Sequence, residues 1–145
     1  MPEATHPTVD EANRLLVELF ADWVQALNLR VDHIDSTGAV LRLPQHEGIR
    51  RIGGIVCGQA SMTLIDTCMV FVCFAGLGRV ADVTTVSQNT SFMRAAGNGD
   101  LLAHGRVIKA GRQLVFGEVT VTVEGDERPI AHGTSTYAVL PPRQA

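Results

Sequence analysis

The chain has 145 residues, of which 46% are hydrophobic and 19% are charged, and its formal net charge is -3. This length fits one domain with its own core, and the composition excludes global disorder. An acidic balance without a basic stripe, together with only 5% aromatic residues, argues against a nucleic-acid-binding surface. We therefore expect one domain over residues 1–145, with flexible ends at 1–8 and 141–145.

The cysteines and histidines indicate neither a disulfide framework nor a metal site. Cys57, Cys68 and Cys73 are odd in number and form no CxxC pair, which is typical of reduced thiols in a cytoplasmic protein. The five histidines lack the spacing of metal ligands, so we expect no metal and no separate cofactor. Residues 1–10 contain no apolar stretch of the kind that a signal peptide requires.

An amphipathic helix is predicted over residues 8–28. Thr8 and Glu11 have the spacing of a capping box at its start. Apolar residues recur every fourth position and form one wide face: Leu15, Leu19, Trp23 and Leu27. The pattern predicts that this face, Trp23 included, covers a core.

A second helix is predicted over residues 55–75, after a polar loop at 45–54 that ends in Gly53 and Gly54. This stretch is apolar on nearly every side, which indicates a helix that is buried on nearly every side. A membrane span is the alternative, but Asp66 lies near the middle, where a bilayer would make an acid costly. We expect a buried helix and no membrane contact.

Strands account for the rest of the chain. Residues 29–44 predict two short strands around a turn at 36–38, and four further strands are predicted at 82–94, 100–110, 112–124 and 129–139. Short turns between successive strands require mostly antiparallel pairing. The predicted fold class is α+β, with an antiparallel sheet wrapped around one long helix and an extra helix at the N-terminus.

Several stretches, in order, resemble one known family. The first is the loop Gly54-Ile-Val-Cys-Gly58 followed by Leu64-Ile-Asp66, and the second is Asn89-Thr-Ser-Phe92-Met-Arg94. The third is the hairpin Gly105-Arg-Val-Ile-Lys-Ala-Gly-Arg112, and the fourth is Ala131-His-Gly-Thr-Ser-Thr-Tyr137. Together they resemble hotdog-fold acyl-coenzyme A thioesterases of the phenylacetate-degradation (PaaI-like) type. The resemblance implies hydrolysis of an acyl- or aryl-coenzyme A to a free acid and coenzyme A.

The resemblance also implies roles for particular residues. Asp66 matches the catalytic acid, as base or nucleophile, and Gly58 matches the backbone donor to the oxyanion. Thr85 matches a residue that faces the acid. The remaining matches imply contacts with substrate: Arg51, Gly54, Cys57, Gln59, Asn89 and Arg112. Arg51 stands where the family has Asn, Cys57 where it has His, and Gln59 replaces the second of its closing glycines.

Gly58 and Asp66 are eight residues apart, which on one helix corresponds to about 12 Å of rise. They cannot both touch one carbonyl from the same chain. If both act, one subunit supplies Gly58 and another supplies Asp66. The resemblance implies a homodimer or a homotetramer with composite active sites, and the number of subunits stays open.

Each of these residues could also have a different role from the one that the resemblance implies. Asp66 could be satisfied by a nearby hydroxyl, Thr85 could be an ordinary strand residue, and Arg112 a solvated hairpin charge. Arg51 could contact the carbonyl, an acyl carboxylate or the coenzyme A phosphates, or pair with Glu47. Cys57 could act as a nucleophile only with an activating base that the sequence does not supply. Four large apolar side chains on the second helix could line an acyl gorge or fill the core: Met62, Met69, Phe71 and Phe74.

Two other functions remain open at this point. The replacements at residues 51 and 57 favour a non-catalytic acyl-coenzyme A binder as the alternative to a thioesterase. A hydratase or dehydratase would need an Asp/His pair, and His46 is the histidine that precedes the glycine loop. His46 could approach Asp66 only through the fold.

Overall fold

A computed structural model describes residues 5–142 of the chain. Its helices are α1 (Val9–Glu18), α2 (Asp22–Gln25) and α3 (Gly58–Leu77), with a 3-10 turn at Glu47–Ile49. Its strands are β1 (Arg30–Asp35), β2 (Gly38–Leu43), β3 (Val83–Phe92), β4 (Leu101–Ala110), β5 (Leu114–Val123) and β6 (Asp126–Val139). The outermost parts of the predicted flexible ends, 1–4 and 143–145, lie outside the described residues. Within the described part, Pro7 is buried and Thr8 caps α1.

The six strands form one antiparallel sheet in the order β1-β2-β4-β5-β6-β3. Strand β3 does not pair with β4, the strand that follows it, but crosses the sheet to pair with β6. Strands β1 and β3 are consequently the two edges. The predicted α+β class and the antiparallel pairing are confirmed, and every predicted strand is present, with bounds that differ by a few residues.

Helix α3 lies against the sheet and forms the centre of the core. Glycines on the sheet allow this close approach: a Cβ atom at Gly105 would lie 2.5 Å from Val72 Cγ2 and 2.7 Å from Cys68 Sγ. A Cβ atom at Gly117 would lie 2.8 Å from the thioether of Met69. Because these distances are far below van der Waals contact, the helix can pack here only against bare backbone.

The helix begins and ends later than predicted. It starts at Gly58 rather than at residue 55, because Val56 N–H bonds to Ala96 O and Cys57 N–H to Ile49 O. Gly78, with φ +69°, closes its last turn in the left-handed region, where glycine is at no disadvantage. By length and hydropathy α3 could cross a bilayer, yet most of its residues are buried inside the fold. This is the burial of a core helix in a soluble-type fold.

The prediction of one helix over residues 8–28 is wrong. The chain leaves the helix after Leu19, and Ala21 has extended geometry (ψ 152°) before the short helix α2. Gln25 Nε2 reaches back to donate to Phe20 O at 2.6 Å, which satisfies a carbonyl that the break releases. We call this bend, residues 19–24, the elbow.

Because of the elbow, the prediction that Leu19 and Trp23 cover the core is also wrong. Leu19 and Trp23 are 55% and 63% exposed, whereas Ala12 and Leu16 are buried. Apolar residues recur at every fourth position across the break, but the break prevents them from forming one continuous face. Of the four large apolar side chains on α3, Met69, Phe71 and Phe74 are fully buried in the core, and Met62 is 45% exposed.

Candidate active site

Two hydroxyl groups hold the carboxylate of Asp66. Asp66 lies on the third turn of α3, opposite Thr85 of β3 and Tyr137 of β6, which pair directly with each other across the sheet. Thr85 Oγ1 donates to Asp66 Oδ1 at 2.9 Å. The Tyr137 hydroxyl lies 2.5 Å from the same oxygen and 2.8 Å from Asp66 O. Asp66 is therefore fixed from two strands at once.

Both side-chain hydrogen bonds reach Oδ1, and no donor among residues 5–142 reaches Oδ2. Burial and the nearby charge of Asp66 raise the pKa of Tyr137, so its hydroxyl stays protonated and remains a donor. Burial raises the pKa of the neighbouring Cys73 thiol to about 12, with Asp66 adding to the shift. The carboxylate thus has one oxygen engaged by two hydroxyls and one oxygen without a donor among the described residues.

Asp66 lines a cavity of about 330 Å³. Its lining comes from the elbow, α3 and β3: Phe20, Trp23, Val24, Met62, Thr63, Asp66, Thr67, Val70, Thr85 and Gln88. Asp66 is the one ionisable side chain in that lining. An acid at the wall of a largely apolar cavity is an arrangement suited to acid–base chemistry on a bound molecule.

Gly58 is the first residue of α3, and its amide is not used by the fold. Cys57 N–H donates to Ile49 O, and the amides of Ala60 and Ser61 donate to Cys57 O. The Gly58 amide has no backbone acceptor within residues 5–142. A free N–H at a helix N-terminus favours a developing negative charge, both by hydrogen bonding and through the helix dipole.

Gly58 lines a second cavity, of about 370 Å³. Arg51, Ile55, Val56, Gly58, Ser61, Phe92, Met93, Arg94, Ala95, Ala96, Ile130 and Ala131 line it. No residue is shared with the cavity that contains Asp66. As the spacing of eight residues predicts, one chain presents its backbone donor and its acid to different spaces.

The glycine loop makes a tight turn between Arg51 and Ile55. Gly54 N–H donates to Arg51 O at 3.0 Å, and Arg51 N–H donates to Ile55 O at 2.9 Å. Gly54 has φ +79°, a conformation that disfavours any other residue. Arg51 and Gly58 line the same cavity. The alternative that Arg51 pairs with Glu47 is wrong, since Arg51 Nη1 donates to Ile52 O instead.

The side chains that differ from the family pattern make few contacts of their own. Cys57 is the N-cap of α3, but its side chain accepts no capping hydrogen bond. Gln59 is exposed, and its carbonyl oxygen accepts from Thr63 Oγ1 at 2.8 Å. Cys57, Cys68 and Cys73 are all free thiols.

Asn89 lies apart from both cavities. Its neighbours Gln88 and Thr90 share the face of β3 that contacts α3, where Gln88 Nε2 donates to Met62 O and Thr90 Oγ1. Since side chains alternate along a strand, Asn89 lies on the outer face of the sheet. The structure therefore does not bring Asn89 to Asp66 or Gly58 of its own chain.

Arg112 belongs to a third, basic cavity of about 1080 Å³ at the hairpin between β4 and β5. Its lining includes the cations Arg79, Lys109 and Arg112 and no acidic side chain. The cavity also includes Val139, two residues beyond Tyr137 on β6. Its near edge is thus about 7 Å along the strand from the tyrosine that holds Asp66.

His46 is not a partner of Asp66. Its Nδ1 accepts from Gly48 N–H at 3.1 Å, and its Nε2 is buried without a hydrogen-bond partner. It lines none of the three cavities described here. The Asp/His pair of a hydratase is thus not formed with His46, and residues 5–142 hold no cluster of three His, Cys, Asp or Glu that could bind a metal.

Tyr137 and the elbow are the parts of the site that the sequence alone did not reveal. Tyr137 is the chain's one tyrosine and stands in the quoted last-strand motif, yet only the pairing of β6 with β3 shows that it reaches Asp66. The sequence predicts Phe20 and Trp23 as core positions, because it does not reveal the break in the helix.

The chain matches the sequence pattern of the thioesterase superfamily over residues 53–130. Over 110 residues it is 31% identical to a candidate esterase of Halobacterium salinarum, which covers 69% of this chain and 72% of the relative. A candidate esterase of Thermoplasma acidophilum is 24% identical over 131 residues, or 86% of this chain and 94% of the relative.

Solved structures agree with this assignment. A candidate thioesterase of Silicibacter sp. TM1040 superposes with a TM-score of 0.82 at 32% identity, covering 92% of each chain. Zebrafish thioesterase superfamily member 2 superposes with a TM-score of 0.78 at 24% identity, covering 92% of this chain and 99% of that one. At that lower identity the likeness shows the fold alone, which is the hotdog fold.

Proposed function

The chain belongs to the thioesterase superfamily, and we propose that it is a thioester hydrolase whose substrates are acyl- or aryl-coenzyme A thioesters. The observation that carries this proposal is the carboxylate of Asp66, which lines a cavity and which Thr85 and Tyr137 fix through one oxygen while the other has no donor among residues 5–142. An acid held in this way can take a proton from a water molecule without leaving its position.

In the proposed reaction, Asp66 Oδ2 accepts a proton from water as the water oxygen bonds to the thioester carbonyl carbon. The carbonyl oxygen becomes an oxyanion, and the N–H of Gly58 donates to it. When the tetrahedral intermediate collapses, the carbon–sulfur bond breaks and the sulfur leaves with a proton. The products are a carboxylic acid and free coenzyme A, and Asp66 returns to its ionised state.

The proposed active site is composite. Because Asp66 and Gly58 of one chain face different cavities, the donor to each oxyanion comes from a second copy. Strand β3 is an edge of the sheet, and most of its residues are exposed, including Val86 at 59% and Phe92 at 53%. An unpaired edge with exposed apolar side chains supports a homodimer or homotetramer.

The coenzyme A end of the substrate is assigned to the basic cavity. Arg79, Lys109 and Arg112 supply positive charge without an acidic neighbour in the lining, which suits phosphate groups. No cofactor is proposed beyond the coenzyme A of the substrate. Free thiols at all three cysteines fit a cytoplasmic protein.

We propose that the chain belongs to the phenylacetate-degradation subfamily, because its motifs occur in the order of that family. The glycine loop differs from the family pattern. Gly58 acts through its backbone, so Cys57 and Gln59 can stand beside it without removing the oxyanion donor. Arg51, which shares the cavity of Gly58, is assigned to contact the substrate near its carbonyl. Asn89 could reach substrate only in an assembly, because it lies on the outer face of its own sheet.

A panel of acyl-coenzyme A thioesters tests the proposal by release of free thiol. We expect turnover by the wild type and a loss of about a thousandfold in kcat for Asp66→Asn, which keeps the size of the side chain but cannot act as a base. Arg112→Ala is the contrasting variant and should raise KM with little change in kcat. Tight binding of acyl-coenzyme A without turnover would overturn hydrolysis and support the non-catalytic binder instead.

A further inference from the structure

A second cavity borders the one that contains Asp66. We call the cavity of about 330 Å³ that contains Asp66 the inner compartment. The outer compartment, of about 600 Å³, lies between the end of α1, α3 and the start of β3. Glu18, Leu19, Phe20, Val70, Phe74, Val80, Ala81, Asp82 and Val83 line it. Two residues, Phe20 and Val70, line both compartments and therefore form their boundary.

Phe20 is held in place by both its backbone and its ring. Its carbonyl accepts from Gln25 Nε2 at 2.6 Å, which fixes the elbow. Its ring stacks on Phe71 with centroids 6.1 Å apart and an interplanar angle of 25°. Phe71 in turn meets Phe74 edge to face at 5.6 Å, inside the core. These contacts favour the position of the Phe20 ring at the boundary between the two compartments.

The chemistry of the lining indicates which part of a thioester enters here. Coenzyme A phosphates need cations, and the basic cavity supplies Arg79, Lys109 and Arg112. The two compartments offer apolar side chains, and the ionisable residues that line them are all acids: Glu18, Asp66 and Asp82. An uncharged acyl group fits this lining, whereas an acyl group that ends in a carboxylate does not.

We infer that Phe20 sets the length of acyl group that the enzyme accepts, by closing the inner compartment to anything longer than a compact uncharged acyl or single-ring aryl group. This inference rests on the proposed function, because it takes the thioester carbonyl to lie at Asp66. The outer compartment then stays unused by the preferred substrates. It becomes available only when the ring at residue 20 is removed.

The test is a chain-length profile of kcat/KM from acetyl- to palmitoyl-coenzyme A, with phenylacetyl-coenzyme A included. For the wild type we expect a maximum at short or single-ring acyl groups and a steep fall beyond it. Phe20→Ala should join the compartments and move the maximum to longer chains, with a gain of about fourfold for each methylene that becomes buried. Phe20→Trp should move the maximum the other way.

Leu19→Ala is the matched control, because Leu19 lines only the outer compartment and is 55% exposed. It enlarges that space without opening the boundary, so its profile should equal that of the wild type. The same maximum for Phe20→Ala, Phe20→Trp and the wild type would overturn the inference, as would a wild type that prefers palmitoyl-coenzyme A. Circular dichroism separates a folded Phe20→Ala from an unfolded one, and Phe20→Trp keeps the test decisive if Phe20→Ala does not fold.

The two failures are distinguishable. If no acyl-coenzyme A is turned over by the wild type above the level of Asp66→Asn, the proposed function fails. If turnover is present and depends on Asp66 but the length profile is indifferent to residue 20, the proposed function stands and only the assignment of Phe20 fails.

Discussion

The start and the middle of helix α3 carry two kinds of chemistry. At the start, Gly58 offers a backbone amide that the fold leaves free. In the middle, Asp66 offers a side chain that two hydroxyls from other strands hold in place. The first depends on where a helix begins, and the second depends on three particular side chains from α3, β3 and β6.

This difference explains which substitutions each region can absorb. Around Gly58 the residues that depart from the family pattern, Cys57 and Gln59, do not engage the amide. Around Asp66, replacing any of the three side chains would remove either the acid or a group that positions it. A functional group on the backbone tolerates changes beside it, whereas one on a side chain depends on its neighbours.

The largest effect is expected when the amide N–H of Gly58 is removed. Gly58→Pro deletes the N–H at the first helical position, where proline is tolerated, and Cys57 already has the extended geometry that precedes a proline (φ -69°, ψ 150°). We expect kcat to fall by about a hundredfold to a thousandfold, as for other oxyanion donors. Gly58→Ala keeps the amide, and the added Cβ would lie 3.4 Å from the Phe92 ring, so most activity should remain.

Mixing two inactive variants tests whether the regions meet across subunits. In a composite dimer, one chain with Asp66→Asn and one with Gly58→Pro together rebuild one complete site, so random mixing should restore about a quarter of wild-type activity. Mixed subunits that exchange freely yet show no recovery would contradict the composite site. Each variant mixed with itself is the baseline.

The next effect comes from the two hydroxyls. Thr85→Val and Tyr137→Phe each remove one donor to Asp66 Oδ1 and keep the shape of the side chain. Hydrogen bonds to a charged group contribute about 1.5–3 kcal/mol, so we expect kcat to fall by about tenfold to a hundredfold with little change in KM.

A merely structural role for these hydroxyls would give a different result. If they only support the fold, both variants should lower the melting temperature and leave kcat unchanged in the fraction that stays folded. Thr85→Ser serves as the control, because it restores the donor and should recover most of the lost kcat.

The smallest effect is expected at Cys57. Its side chain makes no capping hydrogen bond, and the amide that matters belongs to the next residue. Cys57→Ala should therefore change kcat/KM by no more than about twofold, the range of a substitution away from any specific interaction. A large loss of kcat/KM, or inactivation by a thiol reagent that Cys57→Ala escapes, would show that the Cys57 side chain takes part in catalysis. The start of α3 would then not act through its backbone alone.

The features that could be predicted from the sequence are those that local pattern encodes. The apolar run of α3, the glycine turn before it and the acid inside it are all visible in the residues. The separation of Gly58 from Asp66 follows from helical geometry alone. The antiparallel class of the sheet follows from short turns between strands.

What could not be predicted depends on contacts between distant segments. The break after Leu19 is invisible in a period-four pattern, because Trp23 and Leu27 continue the rhythm beyond it. Tyr137 reaches Asp66 because β3 pairs with β6, and no local signal specifies that crossover. Arg51 donates to Ile52 O rather than to Glu47, a contact inside the glycine turn that no sequence pattern specifies.

The exposure of Trp23 has a practical consequence. It is the chain's only tryptophan, it is 63% exposed, and it stands in the wall of the cavity that contains Asp66. Indole emission depends on the polarity around the ring, so all of the tryptophan fluorescence of this protein originates beside the proposed site. The protein therefore carries a built-in optical reporter, with which occupancy of that cavity can be followed in solution without a label.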